Sequence, residues 1–137
     1  MRTRSKEEFS AAGTEYGVCR AYMDEAHEIV VESVKQPGIC MRLGEDEARS
    51  NYSRLQLHCV NNQLVLIYIC YEPVHNSYLL GARCLLPEKR EEVIYTSSRR
   101  DFVYDTFWQG ENFFLCLQMK NGEIRMWKRR DGGFEEV

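Results

Sequence analysis

From Ser53 onward the chain reads as a succession of short strands. Ser53 to Val60 alternates apolar and polar residues, Asn61-Asn62 supplies a tight turn, and Gln63 to Tyr71 returns. A two-residue turn at that point sets Leu57 opposite Leu66, His58 opposite Val65 and Cys59 opposite Leu64. Strand patterns follow at Ser77 to Leu86, Glu92 to Thr96, Phe102 to Trp108, Asn112 to Met119 and Glu123 to Arg129. Between the last two, Asn121-Gly122 is the strongest hairpin signal in the chain. The run Leu64 to Tyr71 is apolar at successive positions, so both faces of that strand are expected to be covered.

The first third carries two competing patterns. From Arg20 to Lys35, Tyr22, Ala26, Ile29, Val30 and Val34 recur at three- and four-residue spacing, with Glu25, Glu28 and Glu32 on the other side and Pro37-Gly38 as a stop, which favours a helix. The β-branched string His27 to Val34 also reads as a strand, turned at Gln36 to Ile39 and paired with Ile39 to Leu43. Ser5 and Glu8 match a helix capping box, weakened by the Ala-Ala-Gly that follows. The expectation is a mainly β (α+β) fold: a curved antiparallel or barrel-like sheet of six or more strands with an N-terminal helical segment packed on it. Residues 1–137 are expected to form a single domain, with residues 1–15 as a poorly ordered or short helical arm.

Composition adds compartment and partner class. Among 137 residues, 18 are basic and 21 acidic, which excludes the strongly basic profile of a dedicated nucleic-acid binder. A content of 44% hydrophobic residues excludes an intrinsically disordered chain. Cys19, Cys40, Cys59, Cys70, Cys84 and Cys116 are even in number, yet no apolar export segment follows the charged N-terminus, and four of the six lie in apolar runs. Reduced thiols and a cytoplasmic or nuclear location are therefore expected, and the sequon at Asn51 carries no glycosylation meaning. The longest apolar run falls well short of the roughly 20 residues a membrane helix needs, so no membrane association is expected.

Motifs for chemistry are sparse. The sequence holds no Cys-x-x-Cys, His-x-x-x-His or His-Glu-x-x-His, and no phosphate-binding glycine loop, so neither a metal nor another cofactor is expected. His27, His58 and His75 are the histidines available to activate a cysteine; the adjacent His58 and Cys59 point to opposite faces of a strand, and closer approach in three dimensions is not visible in a sequence. No catalytic residue is assigned.

The last hairpin carries the one patterned surface. With a two-residue turn at Asn121-Gly122, Leu117, Met119, Ile124 and Met126 form an ordinary core face. The other face interleaves Phe114, Cys116 and Trp127 with Arg125 and Arg129, and Trp and Arg are enriched at binding hot spots. The alternative is that Arg125 and Arg129 lie over Trp127 and Phe114 and shield them with their stems. The expected function is a non-catalytic intracellular binding module or assembly subunit that recognises a protein or peptide through Phe114, Arg125, Trp127 and Arg129. Two alternatives are kept: a small-ligand barrel or enzyme with dispersed active-site residues, and a single-stranded nucleic-acid binder using Arg99, Arg100, Lys128 and Arg130 beside the aromatics. Homo-oligomerisation is compatible with each. Asn121 to Lys128 resembles the turn and closing strand of a β-propeller blade; at 40–45 residues per blade the chain would hold about three. The expected fold rests on the strand pattern instead.

Overall fold

A computed structural model describes residues 9–15, 17–26, 28–35, 40–43 and 50–137. Its regular structure is all β, in three four-stranded antiparallel sheets whose strands follow one another in chain order. Sheet I comprises β1 (Phe9–Thr14), β2 (Gly17–Met23), β3 (Ile29–Ser33) and β4 (Cys40–Leu43). Sheet II comprises β5 (Ser50–Val60), β6 (Gln63–Glu72), β7 (Ser77–Leu86) and β8 (Arg90–Ser97). Sheet III comprises β9 (Phe102–Gln109), β10 (Asn112–Met119), β11 (Ile124–Arg130) and β12 (Gly133–Glu136). Each meander has the strand order of a single propeller blade. The chain divides into two compact units, Met1–Ser98 with sheets I and II and Arg99–Val137 with sheet III.

This overturns the α+β expectation. No helix occurs among the described residues, and the single curved or barrel-like sheet is replaced by three separate sheets, none closed. The last strand of each sheet is a poor template for further pairing. β4 and β12 are four residues long, and β8 begins Arg90-Glu91-Glu92.

The helix pattern over Arg20 to Lys35 is broken by a turn at Asp24. Its Oδ1 accepts the amides of Ala26 at 2.9 Å and Glu28 at 3.0 Å, and its own amide donates to the Glu28 carbonyl at 2.9 Å. A short side chain that satisfies nearby backbone amides offers the chain an alternative to a helix. Ile29, Val30 and Val31 are then buried at three successive positions, which a strand covered on both sides permits and an amphipathic helix does not. Pairing of β3 with β4 is the hairpin alternative read from the sequence; its turn, residues 36–39, and the Ser5–Glu8 capping box lie outside the described residues. Part of the expected N-terminal arm, Phe9–Thr14, is strand β1.

Each strand expected after residue 52 is present, and the β5–β6 register is the one a two-residue turn dictates. Leu57 pairs with Leu66, His58 with Val65 and Cys59 with Leu64. Asn61 and Asn62 sit at φ 50° and 63°, the left-handed pair of a type I′ turn that asparagine tolerates. What the pattern did not show is that β5 carries two bulges, with Asn51 and Arg54 in the left-handed region at φ 53° and 55°.

Sheets I and II share one core. Cys19, Ala21, Ile29 and Val31 of sheet I belong to the same buried cluster as Leu55, Leu57, Leu64, Leu66, Tyr68 and Cys70 of sheet II. β1 lies along β5, where the Leu57 amide donates to Ser10 Oγ at 2.9 Å. At the centre Tyr68 is fully buried, edge-on to Tyr52 at 5.3 Å, and its hydroxyl accepts Arg83 Nε at 3.3 Å. Arg83 in turn pairs with Glu91 at 2.6 Å. Gly81 faces Tyr68 across the sheet, and a Cβ there would meet the ring at 2.9 Å. All six cysteines are thiols, with Cys19, Cys70 and Cys84 buried, Cys59 and Cys116 half-buried and Cys40 exposed.

Gly81→Ala is therefore expected to cost about 1–3 kcal/mol through overpacking, read as a lower denaturant midpoint at constant slope. An unchanged midpoint would show that the ring can give way. A second expectation concerns acid. The Glu28 amide, with Arg42 and the Ala26 amide, holds the Asp24 carboxyl below its ordinary value of 3.8. Because the folded value is the lower one, the stability contributed is full above pH 3.8 and is lost as pH falls through the folded value. Asp24→Asn should give a flatter acid-unfolding curve below that pH, and parallel curves for the two proteins would exclude the linkage.

Candidate functional site

Sheet III carries Phe114, Arg125, Trp127, Lys128, Arg129 and Arg130, and one loop residue decides how they are sorted. The Gly122 amide donates to the Met119 carbonyl and the Met119 amide to the Glu123 carbonyl, both at 2.9 Å. Asn121 Oδ1 accepts the Glu123 amide at 2.9 Å, and Gly122 sits at φ 89°. This is a three-residue loop, Lys120-Asn121-Gly122, with a left-handed glycine bulge, in place of the two-residue turn expected at Asn121-Gly122. The register moves by one: Leu115 pairs with Trp127, Leu117 with Arg125 and Phe114 with Lys128. A slip of one residue exchanges the faces of a strand.

Arg125, Trp127 and Arg129 thus share a face with Phe113, Leu115 and Leu117, while Phe114 and Cys116 occupy the opposite one. Trp127 and Arg129 are each only 5% exposed. The Arg125 guanidinium lies over the Trp127 ring at 5.1 Å and grips Glu136 with both arms, Nε at 2.8 Å and Nη2 at 2.7 Å. That hydrogen-bonded contact holds the Glu136 carboxyl below the usual carboxylate range. Arg129 lies over Phe134 at 5.0 Å rather than over Phe114. On this face the arginines serve as lids on aromatic rings, the shielding alternative named above.

The opposite face is open. Phe107 and Phe114 stack at 5.2 Å with their planes 15° apart, and Phe107 is 40% exposed. Around them lie Val103, Ile124, Cys116 and Met126, the first two 48% and 62% exposed. Lys128 stands across from Phe114, Arg130 pairs with Glu135 at 2.8 Å, and Asp105 stands across from Cys116 on the β9 side. Aromatic and cationic side chains are interleaved here, on residues other than those the two-residue turn selects. Phe114 is the member common to both sets. The missed residues Val103 and Phe107 had a signal: β9 is apolar in both phases, with Phe102 and Tyr104 buried and Val103 and Phe107 on the other side.

The candidate nucleic-acid contacts do not converge. Arg99 and Arg100 precede β9, whose Phe102 pairs with Met119, whereas Lys128 pairs with Phe114. Five residues of β10 separate those pairs, roughly 16 Å at a strand rise of about 3.3 Å. Arg100 instead donates to the Phe102 carbonyl at 3.0 Å and lies 5.8 Å from its ring centroid. A shallow surface cleft of about 340 Å³ occupies that end of the sheet, lined by Arg100, Asp101, Phe102, Gln118 and Lys120 among others. The sheets do not close, so the small-ligand barrel has no lumen.

Among the described residues no cluster of three or more His, Cys, Asp or Glu side chains is placed to hold a metal. His58 bonds Gln56 and His75 bonds Glu72, each at 2.8 Å; His27 lies outside the described residues. No protein-family model, curated protein or solved structure matches this chain.

The register makes a labelling prediction. Cys116, on the open face, should react with a maleimide in the native protein, as should exposed Cys40. Burial, with Glu15 and Cys19 nearby, pushes the half-buried Cys59 thiol up and should slow it. Cys19 and Cys70 should label only on unfolding. Peptide mapping that finds Cys116 as protected as Cys70 would contradict this sorting of faces.

Proposed function

We propose that the protein is a non-catalytic binding module that recognises a protein partner through the open face of sheet III. The carrying observation is the half-exposed Phe107–Phe114 stack, flanked by exposed Val103 and Ile124 and by Lys128 and Arg130. An apolar strip with a polar, charged rim is the layout of a protein interface. Stacked rings present a large apolar area held in one geometry, so little side-chain entropy remains to be lost on docking. On the buried face of the same sheet Arg125 lies over Trp127 and Arg129 over Phe134, while the exposed Trp108 packs on Phe113.

Affinity capture from a native lysate, quantified by mass spectrometry, compares the wild type with Phe107→Ser/Phe114→Ser and with Trp127→Phe. Loss of the specific partner is expected for the first variant alone, with circular dichroism confirming that its strand content is unchanged. Equal capture by all three proteins would discard the open face as the binding surface.

A further inference from the structure

We infer that the partner this face takes is an extended apolar segment bearing a carboxylate, and that the carboxylate is received in the cleft at the Lys120 end of the sheet; the inference rests on the reading of the face as protein-binding. The cleft and the apolar strip are one surface. Val103 and Gln118, which pair across β9 and β10, line the cleft and continue the face on which Asp105 pairs with Cys116 and Phe107 with Phe114. Ile124, 62% exposed, stands across from Gln118 on β11.

The cleft, of about 340 Å³, holds polar groups in fixed places beside the apolar wall of Val103. Lys120 is anchored next to β9 by its own amide, which donates to the Asp101 carbonyl at 2.9 Å. The Lys120 ammonium and the Gln118 side-chain amide have no hydrogen-bond or ion-pair partner among the described residues. Arg20, Arg42, Arg83, Arg125 and Arg130, by contrast, each pair with a nearby carboxylate. An unpaired cation beside an amide that can donate is a receptor for an oxyanion.

Charge over the rest of the face cancels. Glu135 stands directly across from Lys128 and pairs with Arg130 at 2.8 Å, and Asp105, on the β9 side, accepts the Thr106 amide at 2.8 Å. Two cations there meet two carboxylates. In the cleft Arg100 and Lys120 meet the single carboxylate of Asp101, and Glu123, which bonds Met119 through its backbone, does not line it. The positive surplus therefore lies at this end, where it complements an acidic side chain.

The dimensions select a segment over a folded domain. Across β9 to β11 the strip is two strand spacings wide, about 10 Å, and from Phe114 to Lys120 it is roughly 20 Å long. A footprint of that size suits a weak, transient contact. An extended chain laid along β10 covers the length so that its acidic residue falls about four to six positions from the apolar residue seated on Phe114.

Phage display of random linear nonapeptides against the full chain tests the inference, with Phe107→Ser/Phe114→Ser, Lys120→Glu and Lys120→Arg compared and circular dichroism as the folding control. The wild type is expected to select peptides with Asp or Glu about four to six positions from an apolar residue. A peptide so selected should bind Lys120→Glu at least about threefold more weakly by fluorescence polarisation, because the swap sets like charges together at an exposed contact, and should bind Lys120→Arg as it binds the wild type. Selection without an acidic preference, an acidic preference that Lys120→Glu leaves intact, or no selected peptide at all overturns the inference. In each of those cases, lysate capture that still depends on Phe107 and Phe114 leaves the binding face standing; capture and selection both indifferent to those rings discard both readings.

Discussion

The structure of the first unit depends on one strand that has no solvent side. From Leu64 to Cys70, β6 is buried at every position, alternately toward the sheet I core and away from it. Such a strand cannot lie at an edge or face water, so β5 and β7 must flank it and another layer must cover it. Sheet I supplies that cover for the Leu64, Leu66, Tyr68 and Cys70 face. The tightest point is Tyr68, whose ring is admitted because residue 81 has no Cβ and whose hydroxyl is met by Arg83. Arg83 is held by Glu91 on the next strand, so a buried phenol is satisfied through a chain of contacts reaching the sheet margin.

In the second unit a different constraint governs, the length of a single loop. A β-strand has a side-chain period of two, so adding one residue to the Asn121-Gly122 turn exchanges everything that faces in with everything that faces out. The consequence is a division of labour between the two faces of sheet III. One buries Trp127 and Arg129 and uses guanidinium groups to close over rings; the other leaves Phe107 and Phe114 stacked in the open. The same residue types, arginine and aromatic, are structural on the first face. On the second, lysine and phenylalanine stand at the open surface proposed to take a partner.

Much of the local structure was legible. Alternation located β5 to β11, and Asn61-Asn62 fixed the register of β5 against β6 because two consecutive left-handed residues allow a single hairpin geometry. Asn121-Gly122 marked the last turn correctly in place. It did not mark the loop length, since Asn-Gly serves both a type I′ turn and a type I turn closed by a glycine bulge; the choice lies in φ of Asn121, which its side-chain bond to the Glu123 amide helps to set. The candidate site follows the same division: Phe114 belongs both to the face expected from a two-residue turn and to the open face, while placing Val103 and Phe107 requires knowing which phase of β9 faces out.

The sequence by itself determined which segments are strands and where they turn, because periodicity, β-branching and asparagine or glycine turns are properties of neighbouring residues. It determined as well that β6 must be central, since eight apolar residues in succession have no polar side to offer water. Only the tertiary structure decided that Arg20 to Lys35 is strand rather than helix, because Asp24 must find Arg42 across eighteen residues and Val30 must find cover on a second side. It alone decided that the strands among the described residues divide into three sheets and that Trp127 faces inward. Those outcomes turn on pairing between distant segments, where one residue of register or one more strand at an edge changes the answer while local propensity stays the same.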